Sequence, residues 1–150
     1  MTVLALDLGT NTGWAVMYDS SWIESGSVSF ATKRHDGGGM KYLKFRRWLD
    51  SEFKGCVSEV YFEEVRRHVG TSAAHAYGAF VGQLTAWCEE HSIPYSSVPV
   101  GVIKKSATGK GNASKQQMID AMFNKGYLPE DDNEADALAL LEYVCESNKH

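Results

Sequence analysis

The first thirty residues constrain the fold more than any other part of this chain. Residues 3–7 read VLALD, a short run of strand formers that closes on a carboxylate, and a turn cluster of Gly9, Thr10, Asn11 and Gly13 follows at once. Strand-like sequence resumes over residues 14–18 and again over 23–30, joined through Asp19, Ser20 and Ser21. Links this short join antiparallel neighbours, because a parallel pair needs a crossover of a dozen residues or more. The start of the chain is therefore predicted to be a three-stranded meander, whose apolar faces must be covered by what comes later.

The later sequence supplies that cover. After a polar, Gly-rich loop at 33–39, residues 40–53 place Tyr42, Leu43, Phe45, Trp48, Leu49 and Phe53 at near-helical spacing, with Lys41, Lys44, Arg46 and Arg47 between them. Residues 57–64 alternate as a strand ending on Glu63 and Glu64, and 72–90 read as a long helix rich in alanine and glycine. A short strand at 94–98 is followed by helices at 114–125 and 133–145, separated by Gly126 and Pro129. The order βββ-α-β-α-β-α-α describes an α/β fold with a mixed five-stranded sheet, the first three strands antiparallel and the rest parallel, flanked by helices. At 150 residues and 43% hydrophobic content, one domain over 1–150 is expected. No apolar run approaches the roughly 20 residues of a membrane span. The amino terminus has no basic region or small-residue cleavage site, so no export and a cytoplasmic location, in a bacterium or a phage-infected host, are expected. Cys56, Cys88 and Cys145 are odd in number and widely spaced, which predicts buried thiols rather than disulfides or a zinc site.

A net charge of −4 speaks against a nucleic-acid partner only until its distribution is considered. Residues 101–118 contain Lys104, Lys105, Lys110 and Lys115 and no acid, whereas 130–146 are rich in Asp and Glu. A protein that holds a metal with carboxylates and a phosphate backbone with lysines has this pattern, and so does one with merely uneven surface charge.

Three carboxylates stand at ends of predicted elements: Asp7 closes the first strand, Glu63 the fourth, and Asp136 falls in the first turn of the last helix. If the first and fourth strands are neighbours, these side chains converge at one edge of the sheet. Clustered acids repel one another and usually persist because a cation neutralises them. Oxygen-only ligation suits Mg²⁺, with Mn²⁺ as substitute. Two such ions roughly 3.5–4 Å apart serve phosphodiester hydrolysis. Each acid also has a local reading. Asp7 suits a turn, Glu64 equals Glu63 on composition, and Asp131, Asp132 and Glu134 suit a helix N-terminus.

The segments DLGTNTGW from Asp7, FEEV from Phe62, TGKGNASK from Thr108 and NEADALA from Asn133 occur in that order. Together they resemble the RuvC family of Holliday-junction resolvases, especially its phage-borne branch, over nearly the whole chain. The resemblance implies an RNase H-like fold and a metal-dependent crossover junction endodeoxyribonuclease, with two ions per site held by Asp7, Glu63 and Asp136. It selects Glu63 over Glu64. It puts Asn133 where family members carry a fourth ligand, usually Asp or His, with Asp132 as the alternative. Lys104 and Lys115 correspond to lysines near the scissile phosphate, while Lys105 and Lys110 would hold the DNA backbone. Arg66, followed by Arg67, replaces an aromatic residue that opens the junction in cellular members, so action on other branched DNA, such as forks and flaps, is also implied. Family members dimerise through the helix at 72–90. A homodimer would set two sites on the two strands of a four-way junction, although Gly78 and Gly82 equally suit packing within the chain. His75 and Tyr77 read as core or interface side chains.

Two readings come from other classes. DLGTNTG also fits the phosphate turn of sugar kinases and Hsp70-like ATPases, whose duplicated domains do not fit in 150 residues. A non-catalytic junction-binding protein would have no need of the three acids.

Overall fold

The computed structural model describes residues 1–19 and 21–147. Its elements are β1 (Val3–Asp7), β2 (Asn11–Tyr18), β3 (Trp22–Ser29), α1 (Met40–Phe53), β4 (Glu59–Glu64), α2 (Thr71–Glu90), β5 (Tyr95–Pro99), α3 (Val100–Thr108), α4 (Lys115–Asn124) and α5 (Asp132–Ser147). One five-stranded sheet has the order β3-β2-β1-β4-β5. The meander is antiparallel, as its short links require, and β4 and β5 add in parallel to β1 and to each other.

Side-chain alternation along the strands sorts the core into two layers. Leu4, Leu6, Val16, Val60 and Phe62 face α1 and α2, where Phe45, Leu49, Phe80, Leu84 and Trp87 complete one cluster. Val3, Ala5, Ala15 and Val98 face α3, α4 and α5, against Ile103, Met118, Met122, Leu138 and Leu141. The first layer is built on edge-to-face aromatic pairs, with Phe45 at 5.5 Å from Phe30 and 5.2 Å from Phe80 between ring centres. Trp87 is wholly buried, and its indole N–H donates to Asp50 Oδ1 at 2.8 Å. Burying a large apolar side chain of this kind stabilises a fold by about 1.5–3 kcal/mol.

Three sequence expectations are corrected. Residues 100–108 form a helix, α3, which the sequence does not announce. Val100, Gly101, Val102, Ile103 and Thr108 are weak helix formers, and the helix is held by burial of Ile103 and closed by left-handed Gly109 (φ 86°). Asp136 lies in the second turn of α5, not the first, because that helix starts at Asp132. Of the three cysteines only Cys88 is buried, and Cys56 is exposed.

The end of α5 nearest the sheet is fixed by acids. Asp131 Oδ1 accepts from the Glu134 amide at 2.8 Å and Oδ2 from the Ser27 hydroxyl at 2.6 Å. Glu134, itself buried, accepts from the Glu130 amide at 2.9 Å and from Ser25 at 2.6 Å. Asp131 and Glu134 thus satisfy helix-terminal donors and bind α5 to β3. Helix α4 starts on a capping box, in which Ser114 and Gln117 exchange bonds at 3.2 and 2.8 Å. Gly13 on β2 lets α5 approach the sheet: a Cβ there would lie 1.8 Å from the Asn133 carbonyl oxygen.

Candidate metal centre

The parallel pairing of β1 and β4 ends at Leu6 opposite Phe62, so Asp7 and Glu63 are the next residues on adjacent strands. Alternation turns Asp7 to the face of Val3 and Ala5, and Glu63 to the face of Tyr61, which is the side covered by α5. Asp136 comes down from that helix to meet them. Asp7, Glu63 and Asp136 bring carboxylate oxygens within 4.8 Å of one another. Glu64 is turned to the other face, where it accepts from Arg66 Nε at 3.0 Å. Strand geometry therefore gives a physical reason for Glu63 over Glu64.

The three acids are mutually repelling and largely withdrawn from water. Burial, then Glu63 and Asp136, then Asp132, hold the Asp7 carboxyl well above the usual carboxylate range. Burial also raises Glu63, against a lowering by its hydrogen bond to Asp7 and by Lys104. Asp136 is pushed up to about 7, first by burial, then by Glu63 and Asp132, with Lys104 and the Asp7 hydrogen bond pulling the other way. Three charges so close and so buried cannot all be carried unaided. The donor set is all oxygen, convergent and rich in negative charge, which fits a hard divalent cation.

The basic residues divide into those at this centre and those around it. Lys104, half-buried on α3, acts electrostatically on both Glu63 and Asp136. Lys115 lies at the rim, with Nζ 3.7 Å from Asp132 Oδ2 and the side chain 84% exposed. Lys105 and Arg66 flank an open concavity of about 450 Å³ also lined by Glu64, Pro99 and Val102. Lys110 is exposed in the turn after α3, and Arg67 is exposed beyond β4. Arg66 is committed to Glu64 rather than projecting alone.

Two further features stand near the acids, one of them Tyr77, which the sequence marks only as a core or interface side chain. The loop before α1 leaves the same sheet edge as the acids, since the Phe30 amide donates to Thr10 O at 2.7 Å and Lys44 Nζ to Ala31 O at 3.2 Å. It carries exposed Lys33 and Arg34. Tyr77 of α2 donates its hydroxyl to the Glu63 carbonyl at 2.5 Å and accepts from the Val65 amide at 3.2 Å. A basic run hints at the first, but no sequence signal marks the bonds of the second.

The mixed five-stranded sheet with its flanking helices has the RNase H-like fold, and it carries an all-carboxylate cluster at the carboxyl ends of its two central parallel strands. No protein-family model matches the sequence. Among curated proteins, a crossover junction endodeoxyribonuclease RuvC of Nitratidesulfovibrio vulgaris is 27% identical over 122 residues, covering 79% of this chain and 73% of the relative. The protein of the same name from Pseudothermotoga lettingae is 34% identical over 91 residues, 59% of this chain and 56% of the relative. Among solved structures, Thermus thermophilus RuvC in complex with a Holliday junction substrate superposes with a TM-score of 0.74 at 21% identity, covering 93% of this chain and 89% of that one. The yeast mitochondrial Holliday junction resolvase Ydc2 follows at 0.61 and 15%, covering 91% and 74%. In sequence the chain is similar to curated RuvC proteins, and its fold is that of the RuvC structures.

Proposed function

We propose that this chain is an endonuclease that resolves four-way DNA junctions, a single nuclease domain acting as a homodimer with divalent metal at each site. The observation that carries this reading is the convergence of Asp7, Glu63 and Asp136 on one point in a RuvC-type fold. Its support from relatives is that the curated sequences similar to this chain are crossover junction endodeoxyribonucleases.

The three acids hold Mg²⁺, or Mn²⁺ in its place, with Asn133 as fourth ligand and Asp132 as the alternative. Both Asn133 and Asp132 precede Asp136 by about one helical turn and so share its side of α5. Asp132, which also lies 3.7 Å from Lys115 Nζ, is the alternative. A bound pair of ions would activate a water and stabilise the leaving alkoxide. Lys104 offsets negative charge on the phosphoryl oxygens, which it can do from a half-buried position beside the acids. Lys115 acts with Lys104 near the scissile phosphate, and Lys105, Lys110 and Arg67 hold the DNA backbone without reading sequence. Arg66 serves as a phosphate or base contact at the lip of its concavity, and its pairing with Glu64 makes it a poor wedge. Strict preference for one junction sequence is therefore not expected, and forks and flaps are secondary substrates. The phage-borne branch is favoured by TGKGNASK together with NEADALAL. No described helix is long and apolar enough to cross a membrane, in keeping with work on DNA in the cytoplasm.

The test is a mobile four-way junction labelled on both strand pairs. Wild type is expected to leave paired symmetric nicks with Mg²⁺ and none with chelator. Asp7→Asn should cut at background level while binding the junction as tightly as wild type in Ca²⁺. Undiminished cutting by Asp7→Asn would sink the assignment, and faster cutting of flaps than junctions would favour a general branch nuclease.

A further inference from the structure

The end of β4 is a place where the backbone ladder runs out just as the chemistry begins. Along β4, successive residues point their N–H and C=O alternately to β5 and to β1. The Val60 amide bonds to Pro94 O on the β5 side at 3.0 Å, and the Glu59 amide approaches Thr2 O on the β1 side at 3.3 Å. In this alternation the Glu63 carbonyl and the Val65 amide both point towards β1. The residue that would serve them is Leu8, donating to one and accepting from the other. Strand β1 ends at Asp7, however, and the chain turns away at Gly9, where the Thr12 hydroxyl locks the turn by a 2.6 Å bond to Gly9 O. Two backbone groups flanking the central carboxylate of the site are thus left without a strand partner.

The Tyr77 hydroxyl supplies both bonds. It donates to Glu63 O at 2.5 Å and accepts from Val65 N at 3.2 Å, doing with one oxygen what the N–H and C=O of Leu8 would do. Its ring is half-buried and held against His68, with 5.1 Å between centres. We propose that Tyr77 is a positioning residue of the acidic centre, whose hydroxyl takes the vacant place in the β1–β4 ladder and fixes the backbone that aims the Glu63 carboxylate. This rests on the reading of Asp7, Glu63 and Asp136 as a metal centre. Ligands need to be held to within a fraction of an ångström, and a loose strand end does not do so. The same bonds link α2, whose outer face carries Gly78 and Gly82, directly to the site.

Tyr77→Phe removes the hydroxyl and keeps the ring. Amide exchange at Val65 should quicken by tenfold or more. Mn²⁺ affinity, measured by titration calorimetry on the protein alone, should fall about fivefold to tenfold, the size of one lost hydrogen bond of this kind. On a junction substrate kcat should drop by at least that factor, with junction affinity in Ca²⁺ nearly unchanged and the melting temperature lowered by only a few degrees. Raised Mn²⁺ should recover part of the kcat loss, which a general loss of stability would not allow. Faster exchange at Val65 with Mn²⁺ affinity and kcat unchanged would overturn the proposal, as would an unaltered Val65 exchange rate. Calorimetry and exchange need no cleavage, so they decide the role of Tyr77 even if wild type fails to cut junctions. Absence of Mn²⁺ binding by wild type would instead remove the metal centre, and this proposal with it.

Discussion

Asp136 is the residue at which the conflict between burial and charge is easiest to measure. Its carboxyl is raised from 3.8 to about 7 in the folded protein, so the fold prefers the protonated form. The sign follows: the metal-free protein carries no penalty from this group below pH 4, and loses stability as pH rises from about 4 through about 7. Asp7 and Glu63 are shifted the same way. The metal-free melting temperature is therefore expected to fall between pH 5 and pH 8, and to fall less in Asp136→Asn. Saturating Mg²⁺ or Mn²⁺ should restore wild type but not the variant, and metal affinity should climb with pH as the proton is displaced. Identical pH slopes for the two metal-free proteins, followed by differential scanning fluorimetry, would contradict this account.

At the scale of elements, the contact of α5 with β2 decides whether Asp136 reaches the strand ends. Gly13 makes that contact possible, because a Cβ would sit 2.3 Å from the Asn133 carbonyl carbon as well as on its oxygen. The obstacle is helix backbone, which cannot swing aside as a side chain would. Gly13→Ala should cost about 3 kcal/mol in urea unfolding and lower Mn²⁺ affinity by more than tenfold, since α5 must shift outward with Asp136. Gly9 has no such neighbour closer than 3.5 Å. Gly9→Ala is the matched control, and equal effects of the two would remove the packing argument. The glycine that closes DLGTNTG is thus required by a helix more than a hundred residues further along.

For the whole molecule, what matters is which way the small-residue face of α2 points. Phe80, Leu84, Trp87 and Cys88 turn inward, while Gly78 and Gly82 are exposed, with nothing within 4 Å of a Cβ at either. Packing within the chain therefore does not account for them. In the proposed dimer they admit a second copy of α2, so Gly82→Leu should leave the monomer folded but shift sedimentation from dimer to monomer. An unchanged sedimentation coefficient at micromolar concentration would take α2 out of the interface. Two sites per dimer match two strands cut, and monomerisation should reduce paired nicks to single ones.

Much of this protein was determined locally and was readable as such. The meander follows from turns too short for a crossover, α1 from its apolar period, and the order of elements from both, since these signals lie within a few residues of each other. Asp7, Glu63 and Asp136 were visible as acids at element ends, and the family motifs joined them. Tertiary structure decided the rest, because it depends on partners distant in sequence. Helix α3 exists through burial of Ile103 against the propensity of its own residues. Asp131 and Glu134 are bound to the serines of β3, whereas Asp136 joins Asp7 and Glu63, because of where each stands at the start of α5. Glu63 was separated from Glu64 by the pleat once β4 had paired with β1. The two bonds of Tyr77 arise because β1 stops one residue too early to make them itself.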